Sequence, residues 1–373
     1  MKRTEGVFKN KIIILGFDGL SPEIIEPMMQ SGRLPHFARL KEQGTYRRLA
    51  TTNPPQSPTA WSSLATGKNP GKHGIFEFII RDPKTYALKL SLSGTKSSER
   101  RRLMRSKCFW NYASDKKIHS TIITHPVTFP PDKLYGRMLS GMGVPDAIGT
   151  FGTFTLYTSN SAGHQLGGSG KILHVTKSPL MTLRFIGPRI AKWGGAPKET
   201  TVPFKVVQQK GADSVVIEYQ GKSFKLPQGE WSDWQEVTFR LGFLRTMKCI
   251  VKLYLVQVQP EFQLYISPIN FDPRAPFFTI SHPQDFSRAL AENIGLFYTQ
   301  GAPFESHSLS EGLLPESAFL EQVKDIFEGK KKMLDQELRK VDSGILFCYF
   351  EATDAIQHMF WRYRDPFSPL YDP

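Results

Sequence analysis

Apolar positions along this 373-residue chain fall into two textures. In the first ~150 residues, short apolar runs alternate with segments of helical spacing. Lys11–Phe17 carries the continuous run Ile12-Ile13-Ile14-Leu15, the pattern of a buried strand. Ser21-Pro22-Glu23 offers an N-cap, a proline at the first helical position and an acidic first turn, which predicts a helix over Pro22–Gln30. A second helix is predicted over Pro35–Gln43, closed by Gly44. Residues 57–65, ahead of Thr66-Gly67, read as a loop running into a helix; 118–123 reads as a strand and 126–131 as a loop. Strand and helix in alternation predict an α/β layer structure.

The texture then changes. Residues 149–170 are rich in Gly, Thr and Ser. β-Branched and aromatic runs follow at 204–207, Ser214–Tyr219, 236–240, 249–258 and Gln263–Ile266, separated by polar or glycine-containing turns, as in an antiparallel sheet or sandwich. After Pro273 the α/β pattern returns. Residues 316–341 show helical spacing through Phe319, Val323, Ile326, Met333 and Leu338; 345–350 is a buried strand that delivers Thr353-Asp354 at its carboxyl end. The expected organisation is an α/β core in two parts, 1–150 and 281–373, around a β-rich insertion at 151–280.

Composition sharpens this picture in two respects. Apolar residues make up 40% and charged residues 22%, which excludes a disordered or collagen-like chain. Charge is uneven: residues 1–200 hold 30 Lys and Arg against 12 Asp and Glu, and 201–373 hold 18 against 22. A basic half suits an anionic partner or a solvated basic face. The densest cluster is Arg100-Arg101-Arg102 with Arg105 and Lys107, and no nucleic-acid-binding motif accompanies it. No apolar stretch reaches membrane-spanning length, and Met1–Lys11 does not lead into a signal-peptide core. Cys108, Cys249 and Cys348 are widely spaced and odd in number, so neither a disulfide framework nor a zinc knuckle is expected, and a reducing cytoplasm is.

Three places carry candidate chemistry. Asp18 ends the first strand, where α/β sheets place ligands, and suits a hard or borderline cation; a lone Asp there also suits a turn or cap. Ser57, Thr59, Ser62 and Ser63 crowd a predicted helix start, where the dipole and free N–H groups favour an incoming phosphate; simple N-capping is the other reading. Asp354 and His358 lie four apart after a strand and point to one side, a spacing that suits Zn²⁺.

Together these segments resemble the alkaline phosphatase superfamily, in its type I phosphodiesterase and nucleotide pyrophosphatase branch. The resemblance rests on Ile13, Leu15-Gly16-Phe17-Asp18-Gly19, on the run from Pro54 through Ser57-Pro58-Thr59-Ala60-Trp61 and Thr66-Gly67 to Asn69-Pro70-Gly71-Lys72-His73-Gly74-Ile75, and on Asp354 with His358. It covers roughly 10–150 and 280–373. It implies an α/β fold with an alkaline-phosphatase-like central sheet flanked by helices, the β-rich middle being an inserted cap. It implies Ser57 as nucleophile and two divalent metal ions, of the zinc type, with Asp18 and Ser57 on one and Asp354 and His358 on the other. His73 matches a structural histidine of the family.

The resemblance also has gaps. Family members carry a Ser-Asp-His-Gly segment and a later His that complete both metal sites; this sequence has no Asp-His dipeptide and ends 15 residues past His358. Three expected ligands are therefore missing, and a second polypeptide supplying them is an expected partner, along with an open sheet edge. Phe78 stands where nucleotide pyrophosphatases carry a phosphate-binding Asn, and Trp61 stands where sulfatases need Arg. The expected function is metal-dependent hydrolysis of phosphate esters, of phosphodiester or nucleotide pyrophosphate type, with a phosphorylated small molecule as substrate. The alternatives are a non-catalytic remnant and an anion-binding module on the same fold.

Overall fold

In the computed structural model, residues 9–90, 104–160, 170–192, 195–209, 211–243 and 245–372 are described. Arg100, Arg101 and Arg102, and much of the 149–170 segment, lie outside them. Alternation within the last strand, Gly344–Phe350, organises the centre of the molecule. Leu346, Cys348 and Phe350 join one apolar cluster and Phe347 and Tyr349 another, as a strand buried on both faces requires. Around it runs a five-stranded sheet in the order Lys11–Phe17, Gly344–Phe350, Ser120–Ile123, Gly136–Leu139, Ser281–His282. The first four are parallel and the fifth antiparallel. The carboxyl ends of four adjacent strands therefore open on one side, and Asp18, Glu351, Thr124 and Ser140 each follow one of them.

Helices cover both faces. Glu316–Leu338 packs on one through Met333, Leu334 and Phe327, whose ring lies 5.4 Å from that of Phe350. Ser57–Thr66 packs on the other through Trp61, against Phe347 and Tyr349. The close approach depends on Gly16: a Cβ there would sit 2.5 Å from the Trp61 ring.

The first strand departs from its sequence expectation. Lys11–Phe17 is an edge strand, and Ile12, Ile13 and Leu15 are more than 40% exposed. An apolar run alone cannot distinguish a strand between two neighbours from one with a neighbour on one side only. Among the described residues this strand forms one open edge of the central sheet.

The middle of the chain is β-rich, as its texture predicts. Leu180–Lys192 and Gly195–Gln208 form a long hairpin that continues into Ser214–Tyr219 and Lys222–Pro227. Val202, Phe204 and Val206 alternate inward along it. A three-stranded sheet (Gln235–Arg240, Thr246–Val251, Asn270–Phe271) and a four-stranded sheet (Leu253–Gln257, Gln263–Ile266, Phe154–Thr158, Gly170–His174) complete this part. The single run read at 249–258 is two strands in different sheets. The chain changes sheet at Lys252, whose N–H goes to Ser267 Oγ and whose ammonium pairs with Asp325 at 2.6 Å. Phe185, Phe204 and Phe239 share one continuous cluster with Ile123, Leu139 and Leu346 of the central sheet, so the β-rich part and the α/β part have a common core. No helix among the described residues is long and apolar enough to cross a membrane, and all three cysteines are free and buried.

Candidate active site

Parallel pairing of the first and last strands sets Phe17 opposite Phe350, so the chain leaves both strands at the same level. Asp18 follows one strand directly. Asp354 comes from the first turn of Ala352–Phe360, the helix entered from the other. Gly19 lets them approach: its φ is +62°, and a Cβ there would lie 2.9 Å from Asp354 Oδ1. The Asp354 carboxyl is pushed up to about 6, by burial first and by the nearby Asp18 charge second, with His358 pulling the other way. His358, one helical turn on, holds its Nε2 3.4 Å from Asp354 Oδ1 and is otherwise exposed.

Asp18 is 7% exposed and fully engaged by neutral donors. Trp61 Nε1 donates to Oδ1 at 2.8 Å, and the Tyr349 hydroxyl donates to Oδ2 at 2.6 Å. Thr353 Oγ1 donates to the Asp18 carbonyl at 2.5 Å, which ties the Asp354 helix to the first strand. Charge-assisted bonds of this kind are stronger than neutral ones and fix the carboxylate in place. Neither Trp61 nor Tyr349 was singled out in the sequence for this role. The signals were there: Trp61 lies four residues after Ser57, and Tyr349 is a phenol in the otherwise apolar Ile345–Phe350 segment.

Ser57 is the first residue of its helix and Gln56 the N-cap, which makes no side-chain capping bond. Among the described residues the Ser57 hydroxyl makes no hydrogen bond, so the capping reading is not what the fold uses. Pro58 has no N–H, and the Thr59 and Ala60 N–H groups bond to the Gln56 carbonyl. The helix start therefore offers fewer free donors than its position suggests. Ser57 shares a helix face with Trp61, one turn away, and that tryptophan bonds Asp18. Ser57 is half-buried, whereas Thr59 and Ser62 are fully buried with hydroxyls that have no hydrogen-bond partner among the described residues. His73 is structural, as expected: it is buried, accepts the Ile75 N–H at Nδ1 and bonds Ser63 Oγ at 2.9 Å through Nε2. Burial lowers its pKa.

The structure thus brings Asp18, Asp354 and His358 together at two strand ends and ties the Ser57 helix to them. As a donor set, two carboxylates and an imidazole suit one divalent cation. Among the described residues, no three His, Cys, Asp or Glu side chains converge as a metal centre. The oxygens of Asp18 are directed to Trp61 and Tyr349 instead, which leaves Asp354 and His358 as the converging pair. Two tetrahedral sites would need about eight donors, more than these residues supply.

The family model for type I phosphodiesterase / nucleotide pyrophosphatase matches residues 12–167. That segment includes Asp18, Ser57 and Trp61, and the match supports a phosphoester hydrolase in general terms. No curated protein and no solved structure matches the chain.

Proposed function

We propose that this chain is a phosphoester hydrolase in which the Ser57 hydroxyl attacks phosphorus beside a cation held by Asp354 and His358. The observation that carries the reading is the pair of acidic side chains, Asp18 and Asp354, at the ends of adjacent parallel strands, with the Ser57 helix fastened to one of them through Trp61. Neither carboxylate forms an ion pair with Lys or Arg among the described residues, and two carboxylates set side by side favour a cation. The matched family, the basic first half of the chain and the half-buried Ser57 agree on an anionic phosphate ester as substrate.

The roles follow from the chemistry of each group. Ser57 Oγ forms a bond to phosphorus as the ester oxygen leaves, and water then cleaves the phosphoserine. Asp18, fixed by Trp61 and Tyr349, holds the Ser57 helix against the sheet. Asp354 and His358 are the cation's protein donors. When bound, the cation polarises a phosphoryl oxygen and favours the ionised serine. Among the described residues no further donors support the expected second zinc, and one cation suffices for these roles.

The test is turnover of p-nitrophenyl phosphate mono- and diesters by the purified chain with added Zn²⁺. Ser57→Ala should abolish turnover and covalent phosphate trapping, and Thr59→Ser should retain both. A trapped phosphate that survives Ser57→Ala would move the nucleophile elsewhere. The second reading, a fold that keeps the carboxylates without catalysis, draws on the short donor set; it predicts zinc binding with no turnover of either ester.

A further inference from the structure

We propose that a cavity at the carboxyl ends of the three inner strands binds a compact, uncharged hydroxylated molecule, an alcohol or a polyol, apart from the Asp18–Asp354 site. Three neighbouring strands each contribute a buried polar residue to its lining: Glu351 after Gly344–Phe350, Thr124 after Ser120–Ile123, and Ser140 after Gly136–Leu139. The long helix Glu316–Leu338 adds Lys330 from its middle. Parallel sheets bind ligands at such strand ends. The cavity has a volume of about 80 Å³, so its occupant is compact.

The hydrogen bonding at the polar end is incomplete in a specific way. Lys330 Nζ donates to Glu351 Oε2 at 2.7 Å and to Thr124 Oγ1 at 2.8 Å. Its third contact, the Tyr349 carbonyl, is at 3.5 Å, the outer limit of a hydrogen bond. Glu351 Oε1 accepts no hydrogen bond among the described residues. The Lys330 and Glu351 side chains are only 11% and 10% exposed. One underused donor and one unused acceptor therefore sit on a pair whose charges already cancel. A hydroxyl group matches both, accepting from Lys330 and donating to Glu351. A carboxylate or phosphate only accepts and would bury a second negative charge beside Glu351. An ammonium only donates and would bury a second positive charge beside Lys330. Ile294, Phe297 and Met333 give the cavity apolar walls for a carbon frame.

The test is saturation-transfer NMR on the full chain with three probes of one carbon frame: 1,2-butanediol, butyrate and butylamine. The diol should bind at least ~10-fold more tightly than either ion. Ile294→Trp, a change at a half-buried wall position, should remove the diol signal while the circular dichroism spectrum is retained. Leu296→Phe serves the same purpose if the first variant does not fold. No diol binding, equal binding of all three probes, a preference for butyrate or butylamine, or a diol signal that survives the wall substitution would each overturn the proposal.

Discussion

Two carboxylate sites lie side by side at the carboxyl ends of this sheet, and they treat charge in opposite ways. At the first and last strands, Asp18 and Asp354 approach each other with no ion pair to Lys or Arg among the described residues, and burial first and the Asp18 charge second raise the pKa of Asp354. At the last strand's own carboxyl end, Glu351 is neutralised by Lys330 at 2.7 Å. Both carboxylates of the last strand's exit, Glu351 and Asp354, belong to the same short stretch of chain. Only two residues thus separate a carboxylate whose cation is built into the fold from one that no Lys or Arg pairs with among the described residues. The internal pair sits beneath the long helix, where an unpaired ion is costly; the other site lies by the open sheet edge, where His358 is exposed.

The largest expected effect tests the internal pair. Lys330→Met leaves Glu351 buried and unpaired and should cost about 3–5 kcal/mol in denaturant unfolding at pH 7. Lys330→Met with Glu351→Leu should recover most of that loss. If the single variant costs under about 1 kcal/mol, Glu351 is not held by Lys330 and the contrast between the sites fails.

Next comes the anchoring of Asp18. Tyr349→Phe removes one of its two charge-assisted hydrogen bonds at little change in shape, and should cost about 1.5–3 kcal/mol by the same measurement. An unchanged midpoint would mean that Asp18 is positioned by other groups.

Zinc binding supplies a smaller effect. Ligation requires an ionised Asp354, whose pKa is raised to about 6. Affinity should therefore fall as pH drops through 6, by about ten-fold at pH 5 relative to 7.5 from this group alone. Isothermal titration at the two pH values checks it, and an affinity independent of pH would remove Asp354 from the ligand set.

The smallest effect is on the metal-free protein. Asp354 has a raised pKa in the fold, so the folded state holds its proton to higher pH than the unfolded chain does. Stability then declines as pH rises from about 4 to 6, and the cost is fully present above 6. Asp354→Asn should relieve that cost at pH 7.5, by under about 1 kcal/mol given its partial exposure, and should show no gain near pH 4. Melting curves at both pH values measure it; a destabilised variant at pH 7.5 would show that the Asp18 charge is not repelling Asp354.

Much of this arrangement was legible in the sequence, and what was not has identifiable causes. Capping and glycine signals placed the helices at Pro22–Gln30 and Pro35–Gln43 with their observed bounds. The first strand's ending placed Asp18, because a charged residue directly after an apolar run marks where the chain leaves the sheet; Asp354 lies four residues past the last strand, in the first turn of a helix. The edge position of Lys11–Phe17 was not legible, since strand order is a long-range property that an apolar run does not encode. Trp61 and Tyr349 were hidden because they read as core residues, which they also are; only their polar tips reach Asp18. Lys330 was hidden in a helix with many lysines. Its neighbours Lys331 and Lys332 are exposed, and only helical phase directs one of the three inward.

The proposed cation site consists of Asp354 and His358. A zinc titration of the full chain and of His358→Ala at pH 7.5 tests this most directly. Binding by the wild type that weakens at least ~10-fold in the variant, with folding intact, is the predicted result. Equal affinity and stoichiometry in the two proteins, or no binding by the wild type, would contradict it.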